Sequence, residues 1–181
     1  SREKATGYLK RLYQTYQRPN RTIANIYRAH SLRPHTLEGH TALYRAVLGH
    51  ADNELPLWYL EAVGLYVSVL NQCSYCIDHH THAGGLAYPG EAKAWANITN
   101  ALLNDRTADV FKGKELALLA YARNLTLDPT SLTARSIDVL RAASASDSEI
   151  LEVNQVVSYF AYANRVVLGL GVTLDGEVRA D

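Results

Sequence analysis

At 181 residues the chain is long enough for one domain with a sizeable core. Its apolar share of 48% is that of an ordinary globular protein, and a formal net charge of zero without any Lys/Arg cluster argues against nucleic acid or an anionic membrane as partner. No apolar run reaches bilayer length, the longest being broken at Asn71–Gln72 and Asn164–Arg165, and Ser1 to Lys4 lack a signal peptide's apolar segment, so a cytoplasmic, reducing setting is expected.

Helical periodicity dominates the chain. Glu3 to Arg18 reads as a helix stopped by Pro19, and Arg21 to His30 as a second. Pro34 to Leu48 follows, with proline in the first turn, where its missing N–H costs nothing. Pro56 to Leu70 is strongly apolar, and Cys73 to about Ala83 is expected to end at a Gly84–Gly85 break. Glu91 to Leu103, Lys114 to Asn124, Thr133 to Ala143 and Asp147 to Leu170 complete the set, Ser146 and Glu149 forming a capping box for the last. That helix is apolar around most of its girth. Gln155, Ser158, Tyr162, Arg165 and Gly169 make a narrow polar stripe, so it lies in the core or in a subunit interface. Nothing alternates convincingly as a strand, and no repeat or long linker divides the chain. The expected fold class is all-α, a helical bundle in one domain over residues 1–181.

Only two cysteines are present, Cys73 and Cys76, too few for a disulfide-stabilised secreted domain and spaced for redox or metal chemistry. With His80 they fall within about 60° of one helical face, and Cys76 and His80, at i and i+4, can touch. Asn71 stands where an N-cap belongs, which would put both thiols near the positive end of the helix dipole, where a thiol ionises more readily. Glu61 is the only charged residue from Leu55 to Leu70. Gly64 and Ser68 on its face leave room for a water or another side chain. A lone carboxylate among apolar neighbours is costly unless partnered. In one straight helix it would lie about 18 Å from Cys73. A break at Asn71–Gln72 would fold the two helices together and make Glu61 available for proton transfer.

The spacing Glu61-x11-Cys73-x2-Cys76-x3-His80 resembles the active-site pattern of the alkylhydroperoxidase D-like proteins of the carboxymuconolactone decarboxylase-like superfamily. The string LEAVGLYVSVLNQCSYCIDHH around it, and ELALLAYARNLTLDP leading to VVSYFAYANRVVLGLGV, are similar to the peroxidase-related branch. The resemblance covers roughly residues 35–175 and leaves 1–34 as an N-terminal helical extension. It implies a helical bundle assembled as a trimer or hexamer and a thiol peroxidase acting on hydroperoxides, with no cofactor. It makes Cys76 the peroxidatic thiol and Cys73 the resolving one, with Glu61 and His80 relaying protons through water. Tyr75 departs from the family, whose best-known members carry a second histidine there. A tyrosine is a poor base near neutral pH, and Tyr75 reads equally as substrate contact or packing. With no third cysteine, electrons must come from an external dithiol, by resemblance a lipoylated or thioredoxin-like protein.

The main rival is a zinc module in which Cys73, Cys76 and His80 are completed by Asp78, His79 or His82. Zinc sites usually draw their second ligand pair from a separate segment, and this cluster leaves Glu61 unexplained. A low-activity binding or assembly member of the superfamily is another class. Lactone decarboxylation is a third, but that branch works without the cysteine pair. His79 and His82 read as solvent-exposed or capping, and His30, His35, His40 and His50 as structural. Asn164 and Arg165 suit a buried polar network or a subunit interface.

Overall fold

The computed structural model describes residues 4–177, which form helices and no strand. The helices are α1 (Gly7–Tyr16), α2 (Asn25–Ala29), α3 (Pro34–Leu48), α4 (Leu57–Leu70), α5 (Ser74–Ala87), α6 (Ala92–Leu103), α7 (Gly113–Leu127), α8 (Ala134–Ala142) and α9 (Asp147–Gly169). Short 3-10 turns follow α2, α6 and α7. The start expected at Glu3 lies outside the described residues. The stretch expected from Arg21 keeps only Asn25–Ala29 as α-helix before a 3-10 turn at His30–Leu32.

α4 is the central element, packed against α5, α6, α7 and α9. Tyr59 to Ser68 are all buried, which is why its sequence is apolar all round rather than on one stripe. Leu118 and Leu119 of α7 and Val153, Val156 and Phe160 of α9 close the same core. The girth of α9 is thus spent largely inside the chain, and the Gln155–Gly169 stripe is left at its exposed side.

The capping box at the start of α9 is formed: Glu149 N donates to Ser146 Oγ at 3.0 Å and Ser146 N to Glu149 Oε2 at 2.9 Å. One turn on, Glu152 accepts from the backbone N–H groups of Glu54 and Leu55 at 2.7 and 2.9 Å. This ties the entry of α4 to α9.

The break between α4 and α5 is where the sequence places it, but its chemistry differs. Asn71 ends α4 instead of capping α5, whose N-cap is Cys73. Gln72 N donates to Val69 O at 2.9 Å and Cys73 N to Ser68 O at 2.9 Å, the paired closure of a Schellman motif. That motif needs a left-handed residue after the cap, and Gln72 supplies it at φ +57° without being glycine. The conformation stores strain of order 1 kcal/mol beside the thiols.

The expected stop at Gly84–Gly85 is absent, and α5 runs on to Ala87. A Cβ on Gly84 would sit 2.3 Å from the Trp95 ring, so glycine serves the close approach of α6 rather than ending the helix.

Candidate active site

The α4–α5 turn folds the two helices side by side and brings the four predicted groups, Glu61, Cys73, Cys76 and His80, to their shared face. Cys73 at the N-cap and Cys76 in the first turn are both buried free thiols, their sulfurs 2.9 Å apart. A disulfide, at about 2.05 Å, needs only a small further approach. Glu61, from the middle of α4, lies with Oε2 2.6 Å from His80 Nδ1. The gap that a straight helix would have left between Glu61 and the thiol helix is therefore closed.

The room expected at Gly64 is filled by a side chain. A Cβ there would lie 2.2 Å from the Phe160 ring, and that ring packs edge-on against His80 with centroids 4.5 Å apart. The imidazole is thereby fixed between a carboxylate and an aromatic edge. Ser68 serves a polar chain. It donates to Gly64 O at 2.8 Å and accepts from Asn164 Nδ2 at 3.1 Å, while Asn71 Nδ2 donates to Asn164 Oδ1 at 2.9 Å. Asn164 thus belongs to a buried network that knits α4, the turn and α9.

The thiols form one ionising unit. The hydrogen bond from the Cys76 S–H draws the Cys73 thiol down to about 7 against the opposing effect of burial, with help from the Cys76 backbone N–H and nearby His80. Cys76 is pushed up, first because it holds that proton toward Cys73 and then by burial. Access runs the other way. Cys76 borders a cavity of about 200 Å³, whereas Cys73 is fully buried and does not line it.

Tyr16 and Tyr27 from the N-terminal segment, Tyr44 of α3, Tyr75 of α5 and Tyr159 of α9 share the cavity wall with His40, His79 and His80. His40 is held neutral, its pKa lowered to about 4 by burial and by His30. Tyr44 OH reaches Glu61 Oε1 at 3.4 Å, a contact with no sequence signal.

Tyr75, between the two cysteines, accepts from Ile26 N at 3.2 Å and donates to Glu177 Oε2 at 2.9 Å. The sequence reads His79 as solvent-exposed or capping. Instead it lines the cavity, with Nε2 2.8 Å from Glu177 Oε1. The helical wheel could not show this, because Glu177 arrives from the segment after α9. His82 is half-buried and does not line the cavity.

Among the described residues no group of three or more His, Cys, Asp and Glu side chains is placed to hold a metal ion. His80 is turned to Glu61 and His79 to Glu177. No described helix is long and apolar enough to cross a membrane.

No protein-family model and no curated protein matches the sequence. Solved structures match its fold. A peroxidase-related protein from Silicibacter sp. TM1040 aligns with TM-score 0.79 at 19% identity, over 91% of this chain and 83% of its own. An alkylhydroperoxidase AhpD core, a peroxidase-related protein from Ralstonia eutropha JMP134, gives 0.81 at 15% identity over 96% and 88%. The debrominase Bmp8, as a cysteine-to-alanine variant bound to 2,3,4-tribromopyrrole, gives 0.70 at 16% identity over 93% and 84%. The chain therefore has the all-helical AhpD-like fold, shared by peroxidase-related proteins and a debrominase.

Proposed function

We propose that the chain is a thiol peroxidase that reduces hydroperoxides through Cys76 and Cys73. The observation that carries this reading is the 2.9 Å dithiol with only Cys76 on the cavity, beside the Glu61–His80 pair. The proton between the sulfurs moves to Cys73, leaving the thiolate on Cys76. That thiolate attacks the terminal peroxide oxygen, the O–O bond breaks, and the leaving alkoxide takes a proton relayed by His80 and Glu61, through water where the span requires it. Cys76 is then a sulfenic acid. The Cys73 sulfur attacks it and displaces water, leaving the Cys73–Cys76 disulfide. In sum, a hydroperoxide and two thiols give an alcohol, water and a disulfide.

An external dithiol, a lipoylated or thioredoxin-like protein, returns the pair to the reduced state, with no cofactor resident in the chain. The reading places the protein in a reducing compartment such as the cytoplasm and in a homo-oligomer, a trimer or hexamer. Thiol titration before and after a slight excess of tert-butyl hydroperoxide tests the function. Loss of both thiols with one intramolecular disulfide is expected, and two thiols surviving, or stoichiometric zinc in the purified protein, would overturn it.

A second reading uses the same two electrons on a halogenated aromatic. The Cys76 thiolate would attack the halogen as the carbon–halogen bond breaks and the ring carbon takes a proton, and the Cys73 thiol would then displace halide from the Cys76 sulfenyl halide, giving the dehalogenated ring, halide, a proton and the disulfide. The tyrosine-walled cavity favours it, since such a lining suits a planar ring. Bromide release from a bromopyrrole, matched to thiol loss, separates the two readings.

A further inference from the structure

Glu177 is the best-satisfied carboxylate near the cavity, and neither reaction above uses it. Its side chain is 0% exposed. Four groups from separate places in the chain converge on it. Arg18 donates to Oε1 at 2.6 Å and His79 Nε2 lies 2.8 Å from the same oxygen. Asn25 N and Tyr75 OH donate to Oε2 at 2.7 and 2.9 Å. Burial alone would raise the pKa of this carboxyl, but His79, the Asn25 N–H and Arg18 outweigh it and hold the group near about 2.

The receiving groups are built into the fold, whereas the carboxylate is not. Three of the four donors, Arg18, Tyr75 and His79, belong to elements that wall the Cys76 cavity. Glu177 comes from the strap 170–177 that follows α9. Most of the strap is exposed or half-exposed, and it turns through Gly171 and Gly176 at positive φ. Val172 and Leu174 pack its root against the core, and beyond them the exposed tip at Asp175 and Gly176 is held, apart from Glu177, chiefly by Asn25 Nδ2, which donates to the carbonyls of Thr173 and Asp175 at 2.8 and 3.1 Å. Such a short tip, with few buried apolar contacts of its own, opens at low cost. Opening would present a guanidinium, an imidazole, a phenol and a backbone N–H to the cavity edge, and this donor set matches a carboxylate.

We propose that Arg18, Tyr75, His79 and the Asn25 N–H form a carboxylate-binding subsite beside Cys76, filled by Glu177 in the resting chain and taken over by the carboxylate of a small-molecule substrate when the strap lifts. The proposal deepens the reading of this cavity as the route to Cys76. Its substrate would be a small organic molecule with the reducible group at one end and a carboxylate at the other.

The test uses two alkylating reagents that differ only in that group, iodoacetate and iodoacetamide, on the whole chain, with Cys76 modification read by mass spectrometry. In the natural sequence the carboxylate reagent has no vacant subsite, and iodoacetamide should react faster. In Glu177→Ala the iodoacetate-to-iodoacetamide rate ratio should rise by at least about tenfold, and added acetate should compete it down. Adding Arg18→Gln should return the ratio to its starting value. Glu177→Gln, which keeps the side-chain shape, gives a second measure if the alanine variant folds poorly, and its ratio should rise in the same direction. An unchanged ratio in a folded variant, or equal acceleration of both reagents, would overturn the subsite and leave the strap a plain plug. Alkylation needs no peroxide turnover, so failure of the peroxidase reading and failure of this one are separately visible.

Discussion

The sulfur of Cys76 borders the cavity while that of Cys73, 2.9 Å behind it, does not, and the more acidic thiol is the one without access. Charge is therefore stored on the inner sulfur and spent on the outer one. Absorbance titration of the thiolate should show a first ionisation near about 7 in the intact chain. The thiolate fraction rises with pH through that midpoint. Cys76→Ala removes the S–H that stabilises the Cys73 thiolate, and the midpoint should climb toward or beyond an ordinary thiol's value of about 8.5. A midpoint unmoved by Cys76→Ala would mean the two sulfurs do not share a proton.

Limited alkylation should label Cys76 before Cys73, because only Cys76 has a route to reagent. Cys76→Ser should abolish peroxide reduction. Cys73→Ser should stop after one oxidation at a sulfenic acid trapped by dimedone. Labelling of Cys73 first, with the sulfenic acid lost in Cys73→Ser, would reverse the two roles.

The Glu61–His80 pair invites the corresponding test of proton transfer. His80→Ala and Glu61→Gln should each slow peroxide reduction by about 10²–10⁴-fold with helical content unchanged. Stopped-flow kinetics and far-ultraviolet circular dichroism decide it together. A Glu61→Gln enzyme with undiminished rate would leave Glu61 as a structural anchor for His80.

Much of this was legible in the sequence because the fold is written in local signals. Prolines, the Ser146–Glu149 capping box and the 3.6-residue apolar period mark helix ends within a few residues. The uninterrupted apolar run around Glu61 announces a buried central helix. What was not legible depends on partners far along the chain. Asn71 looks like an N-cap until the Gln72 backbone is seen left-handed, since the motif that ends α4 carries no glycine to signal it. Gly84 looks like a stop until Trp95 is seen against it. His79 looks idle until Glu177, nearly a hundred positions on, is seen beside it.

Gly64 offers a packing test of the site's support. Alanine there would meet the fully buried Phe160 ring at 2.2 Å, and neither helix can retreat without disturbing the His80 ring edge. Gly64→Ala should destabilise the fold by about 1–3 kcal/mol in urea denaturation and lower the peroxidase rate as well. A stable variant with full activity would show that the Phe160 contact is dispensable.

Assembly is tested by sedimentation. The expectation of a homo-oligomer rests on the resemblance drawn from the sequence. At micromolar concentration the mass should be a multiple of 20.0 kDa, and a stable species at 20.0 kDa would refute the oligomer.

The buried Glu177 carboxylate makes a prediction about acid stability whose sign is fixed. Its folded-state pKa, near about 2, is below the ordinary 4.5. The unfolded chain therefore binds a proton first as pH falls. The stability contributed by ionised Glu177 is full above about 4.5, declines from there as pH falls, and is gone below about 2. Glu177→Gln keeps the shape but cannot titrate. The stability difference between the natural sequence and Glu177→Gln, from urea midpoints at successive pH values, should shrink as pH falls through that window. Other acidic groups, such as Asp147 beside Arg141, titrate in both proteins and cancel in the difference. A difference that stays constant down to pH about 2 would mean that Glu177 is not held as an anion by Arg18 and His79. The strap would then be fastened by its backbone contacts to Asn25 instead.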